Sequence, residues 1–388
     1  MPTALLESMK RELDFLRRNF WDLSLVTWIP FILLAAVAVQ MSAGVMRDLP
    51  IVVVDRDGSG FARELIRRLD AASGLSVAEQ APDMQAAERA VRSRRAYAVV
   101  LVERGTAEEI QKGSTAEVVA FYNASYSTPS GAALREIGAV VQAYAAQLAT
   151  TQTAVVLGPG KIRRPPLAVR TTILFNPQGS YEFQLVALVH PAILHLIFMV
   201  AITSALGREL RDGTIGSWLE RWPRRDAIYA VAGKLLPYFC IFMGWAVLAT
   251  GYLAGFRGWP VAGSIALILL GYATMYLAYI GAALLFVGIT LTMGTALSAA
   301  GLYAGASFAF AGAIFPLESA STFARLWSAL LPYSAFAKLL AEQWMMGAPA
   351  TDSVRQILVM LIFLLVGAAI GLPPYIRAAR RPEIWGRR

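Results

Sequence analysis

Residues 258–317 read GWPVAGSIALILLGYATMYLAYIGAALLFVGITLTMGTALSAAGLYAGASFAFAGAIFPL, 60 residues without one Asp, Glu, Lys or Arg. A water-soluble domain has no place for such a run, because a single buried helix rarely needs more than a third of it. A hydrocarbon core of about 30 Å is crossed by roughly 20 residues of helix, so the run holds more than one crossing. Pro260 and Pro316 frame it, and Gly288 and Gly294 flank a turn. These breakers predict two helices, 262–287 and 295–315. Working outward, four more charge-free runs appear at 23–46, 183–207, 235–256 and 356–376. Six crossings follow, the last taken as 355–376. The composition agrees: 57% of residues are hydrophobic and 16% charged, against about 25% charged in soluble domains.

The basic residues orient the crossings. With six spans, segments 1–22, 208–234 and 377–388 share one side and hold fifteen Lys and Arg. The short loops opposite hold four: Arg257, Arg325, Lys338 and Arg355. Cytoplasmic loops carry the excess, so both termini are expected inside. The first apolar run is too long for a signal peptide and reads as an uncleaved anchor. Before it, Leu6, Met9, Leu13, Leu16 and Phe20 recur at helical spacing. That pattern predicts an amphipathic helix over 1–22 lying on the lipid surface.

Residues 47–182 differ in kind, with 16 basic and 14 acidic side chains. Strand patterns at 50–54, 75–78, 96–102 and 117–122 alternate with helical patterns at 59–72 and 83–94. This predicts a small α/β domain between the first two spans, outside the cytoplasm. A long helix over 129–157 follows, ended by Gly158-Pro159-Gly160. The fold class is therefore an α-helical membrane protein with six transmembrane helices and an α/β extracytoplasmic domain inserted between the first and second.

Several chemistries are poorly supported. Asp55-Arg56-Asp57-Gly58-Ser59-Gly60 matches the first half of a calcium loop, but position 12 is Ile66 rather than a bidentate Glu. A strand-to-helix turn capped by Ser59 fits better. The single Cys240 and two histidines leave no metal cluster. His190 and His195 are five residues apart and diverge around a helix; as intramembrane ionisable groups they are pore candidates. Gly158-Pro159-Gly160-Lys161 is too short for a phosphate-binding loop and is followed by Ile162. No catalytic constellation, bound cofactor or nucleic-acid site is expected.

The loop 208–234 is the most informative stretch. Ile215, Trp218, Leu219 and Trp222 fall on one helical face. Such a face can rest on lipid or enter a groove on a partner. Segment 316–354 is amphipathic, broken at Pro332, and suits short re-entrant helices at the outer leaflet.

In order and placement these features resemble the permease subunits of ABC-2 type exporters, in particular their bacterial multidrug-type branch. The resemblance covers nearly the whole chain. Its most specific part is Arg208-Glu209, Gly213-Thr214, Leu219, Pro223 and Gly233-Lys234-Leu235 with Pro237-Tyr238. Further matches are Phe175-Asn176-Pro177, Phe315-Pro316-Leu317-Glu318 and Leu331-Pro332, with residues 51–57 similar to the start of the family's external domain. Trp218 and Trp222 stand where aliphatic residues are more usual, and the Thr214 to Pro223 spacing is one residue longer.

The resemblance implies two permease copies, identical or paralogous, over two separate ATPase subunits that hold ATP and Mg. It implies a coupling element of Arg208, Glu209, Gly213, Thr214, Trp218, Leu219, Trp222, Pro223, Gly233 and Lys234. It implies an outer gate of Phe315, Pro316, Leu317, Glu318, Leu331 and Pro332, and a path lined by the second and fifth spans. It also implies a bacterial inner membrane, outward movement of hydrophobic or amphipathic drug-like molecules, and a periplasmic adaptor and outer-membrane channel as further partners. A polysaccharide or lipid exporter, or a sensor or scaffold working through the external domain, is the alternative.

Overall fold

The computed structural model describes residues 2–112, 114, 116–157, 176, 179–312, 317 and 319–386. The chain divides into two compact units, Met1–Ser42 with Tyr181–Arg388, and Ala43–Ser180. The first unit opens with helix α1 (Pro2–Arg18), then α2 (Phe20–Val26) and α3 (Trp28–Gln40). The α2/α3 joint is at Thr27, whose hydroxyl donates to the Leu23 carbonyl at 2.7 Å.

The second unit begins at strand β1 (Leu49–Asp55), followed by α4 (Gly60–Asp70), β2 (Leu75–Gln80), α5 (Met84–Arg92) and β3 (Ala98–Val102). It continues with α6 (Thr106–Gln111), β4 (Val118–Tyr122) and α7 (Ser127–Leu157). The sheet order is β2-β1-β3-β4. β1 is parallel to both neighbours, and β4 is antiparallel to β3. Alternate residues of β1 serve two cores. Ile51 and Val53 pack with Leu65, Leu69 and Ile137 of α4 and α7. Val52 and Val54 pack with Ala87 and Ala90 of α5.

The Asp55–Gly60 stretch is a turn. The Asp55 carboxylate accepts from the Asp57 and Gly58 amides at 2.9 and 2.8 Å. Asp57 accepts from the Gly105 amide at 2.8 Å at the start of α6. Ser59 caps α4 by accepting from the Ala62 amide at 3.2 Å. The carboxylates are thus spent on backbone donors.

The first unit resumes with α8 (Ala187–Arg211), the short α9 (Ile215–Leu219) and α10 (Arg224–Gly251). Then come α11 (Ile265–Thr290), α12 (Met293–Gly305), α13 (Ser307–Phe310), α14 (Thr322–Ala329), α15 (Pro332–Leu340) and α16 (Ala350–Ala378). Among the described residues, five helical stretches are long and apolar enough to cross a membrane: Phe20–Gln40, Glu182–Arg211, Arg224–Phe256, Ile265–Thr290 and Ala350–Ala378. The sixth expected crossing, 295–315, is not one helix of that length. It is α12, a break at Ala306 and the four-residue α13, with 313–316 outside the described residues. Gly294, Gly301 and Gly305 give α12 low intrinsic helix propensity, which is the physical reason for a short element.

The turn expected between Gly288 and Gly294 falls at Leu291, with φ of 50°, and Gly288 itself lies in the last turn of α11. The reason for glycine there is packing. A Cβ on Gly288 would lie 2.1 Å from the Gly371 carbonyl oxygen of α16. A Cβ on Gly371 would lie 2.1 Å from the Leu284 oxygen, and one on Gly367 2.2 Å from the Gly281 oxygen. Gly367-Ala368-Ala369-Ile370-Gly371 is a small-xxx-small face that lets two backbones touch where lipid offers no hydrophobic drive for association. Buried aromatics tie other helices through their polar tips. The Tyr333 hydroxyl donates to the Leu188 carbonyl at 2.6 Å, and Tyr375 to that of Leu206 at 2.9 Å.

Gly371→Ala is expected to push α11 from α16 and cost about 1–3 kcal/mol as an overpacked contact, read as a lowered melting temperature in detergent. Gly301→Ala, whose Cβ would meet nothing within 4 Å, is expected to leave melting unchanged or raise it.

Candidate functional site: a buried charge cluster at the α8–α10 turn

The last turn of α8 carries Arg208 and Glu209. Gly213, with φ of 68°, turns the chain out of the helix. Left-handed backbone of this kind favours glycine. Thr214 leads into α9, and Pro223 opens α10, its fixed φ suiting a helix start. Lys234 lies three turns into α10. Because α8 and α10 run antiparallel, Glu209 and Lys234 meet: the ammonium donates to the Glu209 carboxylate at 2.7 Å.

The third wall is α1. Its buried residues are Ala4, Ser8, Glu12 and Leu16, one stripe at four-residue spacing. Leu6 and Phe20 are exposed. So the surface-lying helix expected from the sequence packs against α10 through a different face. Contact is close enough that a Cβ on Gly233 would lie 2.2 Å from the Leu5 carbonyl oxygen. That explains glycine before Lys234.

Glu12 is 1% exposed and holds the cluster together. It accepts from Lys234, from Arg208 at 2.7 Å and from the Tyr238 hydroxyl at 2.7 Å. Arg11 forks onto Glu209 through two bonds of 2.9 Å, and Thr214 donates to the same carboxylate. Arg208 also reaches Asp22 at 3.4 Å. Three carboxylates thus face three cations, which is how ionised groups are held away from water. Around them, the Trp218 indole donates to the Ser8 hydroxyl at 2.9 Å, and Lys234 lies 5.1 Å from its ring centroid. Arg208 stacks 3.3 Å from the Phe15 ring centroid. Burial pushes the Glu12 carboxyl up, but Lys234 and Arg208 outweigh it and hold its pKa below the ordinary 4.5.

The residues expected on sequence grounds are partly gathered here. Arg208, Glu209, Thr214, Trp218 and Lys234 join one network. Leu219 is buried beside them, and Gly213, Trp222, Pro223 and Gly233 shape the loop. The face of Ile215, Trp218 and Leu219 points into the protein, and the exposed side of α9 is Ser217, with Glu220 and Arg221 just beyond it. Sequence reasoning missed Glu12, Arg11, Ser8 and Asp22. The available signal was the stripe of Ala4, Ser8, Glu12 and Leu16.

Elsewhere, Leu331 and Pro332 are buried at the start of α15, and Leu317 packs at Gly312. Phe315, Pro316 and Glu318 lie outside the described residues, as do Phe175, Pro177 and residues 158–161. The two histidines are not brought together. His195 is stacked between Tyr279 and Tyr333, at 4.8 and 4.6 Å, with its ring nitrogens at 2.9 Å from the Pro191 carbonyl and 3.2 Å from that of Ala304. His190 lines a small cavity with Thr250 and Tyr272. In the π-helical turn Glu182–Val186 that leads into α8, Glu182 is fully buried and receives Arg257 through two bonds of 2.7 Å.

Residues 20–372 match the family model described as ABC-2 family transporter protein. The chain belongs to the ABC-2 transporter family. No curated protein and no solved structure matches it. The charge cluster therefore sits in the membrane component of an ABC-2 transporter, where α1 meets the facing ends of its second and third long apolar helices.

Removing one partner of a buried pair costs about 3–5 kcal/mol, so Glu12→Gln is expected to lower the melting temperature sharply. Glu12→Gln with Lys234→Met is expected to cost less than the two single changes added, because neither leaves the other charge stranded. The pH dependence has a defined sign. A carboxylate with a depressed pKa stabilises the fold above its unfolded value and loses that contribution as pH falls through its folded value. Wild-type melting should therefore fall below about pH 4.5, and Glu12→Gln should show a smaller fall in the same titration.

Proposed function

We propose that this chain is the permease subunit of an ATP-driven exporter, coupled to a separate ATPase through the 208–223 loop. The observation that carries the reading is the cluster itself. Glu12, Arg208, Glu209 and Lys234 bind α1, α8 and α10 into one block directly behind α9. A force applied to α9 would then reach two long apolar helices without being absorbed in a loop. In this reading ATP and Mg stay on the partner chain, and this chain is non-catalytic.

The finer points follow the same reading. Two permease copies, identical or paralogous, would enclose the path, with α8 and α12 lining it and residues 315–332 gating its outer end. Both termini would be cytoplasmic, in a bacterial inner membrane. The Ala43–Ser180 unit would be extracytoplasmic and offer a surface for an adaptor leading to an outer-membrane channel. The apolar helices favour hydrophobic or amphipathic cargo, moved outward.

The inward-facing Trp218 and Leu219 belong to the block, so the surface offered to the ATPase is Ser217, Glu220 and Arg221. Tagged wild type purified with trapped ATP is expected to bring an ATPase subunit with it. Ser217→Trp with Glu220→Arg is expected to lose that subunit at unchanged melting temperature. Retention of the ATPase by this double variant would remove α9 from the interface. Absence of any ATPase with the wild type would remove the energy source and sink the proposal.

A further inference from the structure

Two adjoining hollows open where α10 begins and α16 ends. One, of about 210 Å³, is lined by Leu219, Trp222, Arg224, Ile376, Arg377 and Arg380, among others. The other, of about 200 Å³, is lined by Arg224, Ile228, Leu372, Pro373, Ile376 and Arg377. Arg224, Ile376 and Arg377 belong to both, so the two form one groove.

The charges in this groove are unbalanced. Arg224, Arg377, Arg380 and Arg381 line it against one carboxylate, Glu220. All four arginines are exposed. By contrast, Arg11 and Arg208 in the neighbouring cluster are each paired with a carboxylate, Glu209 and Glu12. The arginines on the tail are also held in place. Trp385 donates to the Ala378 carbonyl at 2.8 Å and lies so close to α9 that a Cβ on Gly216 would be 2.3 Å from its ring. The Gly386 amide donates to the Leu210 carbonyl at 3.0 Å. The segment carrying Arg380 and Arg381 is therefore pinned at both ends.

The groove also has an apolar approach. On α16, Leu358, Ile362 and Leu365 are 56%, 57% and 66% exposed. They lie at four- and three-residue spacing, and Leu372 follows Leu365 by two turns on the same face. An uninterrupted apolar track thus runs along the helix toward the guanidinium groups, and Ile228 faces it from α10.

A ligand that fits must be anionic at one end and apolar along its length. A guanidinium binds phosphate oxygens through parallel N–H donors, and basic pockets between helix ends at the membrane surface suit anionic headgroups. We propose that this groove binds an anionic glycerophospholipid, with its phosphate on Arg224, Arg377 and Arg380 and an acyl chain along Ile228 and Leu372. The inference rests on the membrane reading of α10 and α16 and not on the ATPase reading.

The test uses the full chain in detergent, by native mass spectrometry with added phosphatidylglycerol or phosphatidylcholine. Wild type is expected to retain phosphatidylglycerol in preference to phosphatidylcholine. Each arginine near an anionic lipid contributes about five-fold in affinity. Arg377→Gln with Arg380→Gln is therefore expected to weaken retention by about twenty-five-fold. Arg104→Gln, in the other unit, should change nothing. Equal retention of the two lipids, or unchanged binding by the double variant, overturns the proposal. So does displacement of the lipid by millimolar inorganic phosphate, which would make this a phosphate site. ATPase co-purification is scored on the same samples. Loss of the ATPase with lipid retention intact would make the groove a protein interface, and that outcome also overturns the proposal.

Discussion

Glu12 is the constraint on which this end of the molecule depends. A carboxylate 1% exposed cannot stay ionised without cations, and α1 carries none that reach it. Lys234 and Arg208 supply the charge from α10 and α8, and Tyr238 supplies a further donor. Each of those cations needs a second anion in turn, and Glu209 and Asp22 complete the balance. The position of α1 is thus set by charge pairing as well as by apolar contact. Shifting it by one turn would strand several ions at once, which makes its docking close to all-or-none.

The same pair of helices is fastened at both ends. Glu209 and Lys234 join them beside α1, and Glu182 with Arg257 joins them about 35 Å away by helical rise. Trp259 donates to Glu182 as well, at 3.0 Å, and Arg257 reaches the Ser42 carbonyl at 2.7 Å. Between the clamps the contacts are apolar, with Phe198 meeting Phe242 edge-on at 5.2 Å between ring centroids. The α11–α16 contact is of another kind, backbone against backbone through four glycines. Ion pairs hold one group of helices and glycine faces the other, and the two groups meet through Tyr375 donating to the Leu206 carbonyl and His195 stacked on Tyr279. The broken α12–α13 stretch lies between α11 and α16 in sequence.

Much of this was legible in the sequence because it follows from composition and period. Charge-free runs located the long apolar helices, since lipid tolerates few ions. Alternation of β-branched and helical patterns located the sheet of the Ala43–Ser180 unit. The short α6 went unread, because its six residues are fixed by Asp57 accepting from the Gly105 amide and not by any period of their own. The α12 break was also hidden, because glycine and alanine are apolar enough to pass for a span while lacking helix propensity. At the site, family resemblance pointed to Arg208, Glu209, Thr214 and Lys234 as one loop, yet nothing local said what they bind. Their partner Glu12 lies 196 residues from Arg208. A buried acid in an otherwise amphipathic helix gives no signal until its cations are known.

The orientation of α9 shows why this matters for mechanism. Read alone, Ile215, Trp218, Leu219 and Trp222 form an apolar face of the sort that docks into a partner. In the folded chain Ile215, Trp218 and Leu219 point into the protein and the Trp218 indole spends its only donor on Ser8, while Trp222 lines the groove beside Arg224. The outward side is small and charged. A short helix exposed in this way is a poor hydrophobic anchor and a good rigid contact, since its position is fixed by the cluster behind it and by Trp385 against Gly216. Thr214 at the start of α9 donates to Glu209 and Trp218 donates to Ser8, so α9 is tied directly to α8 and to α1.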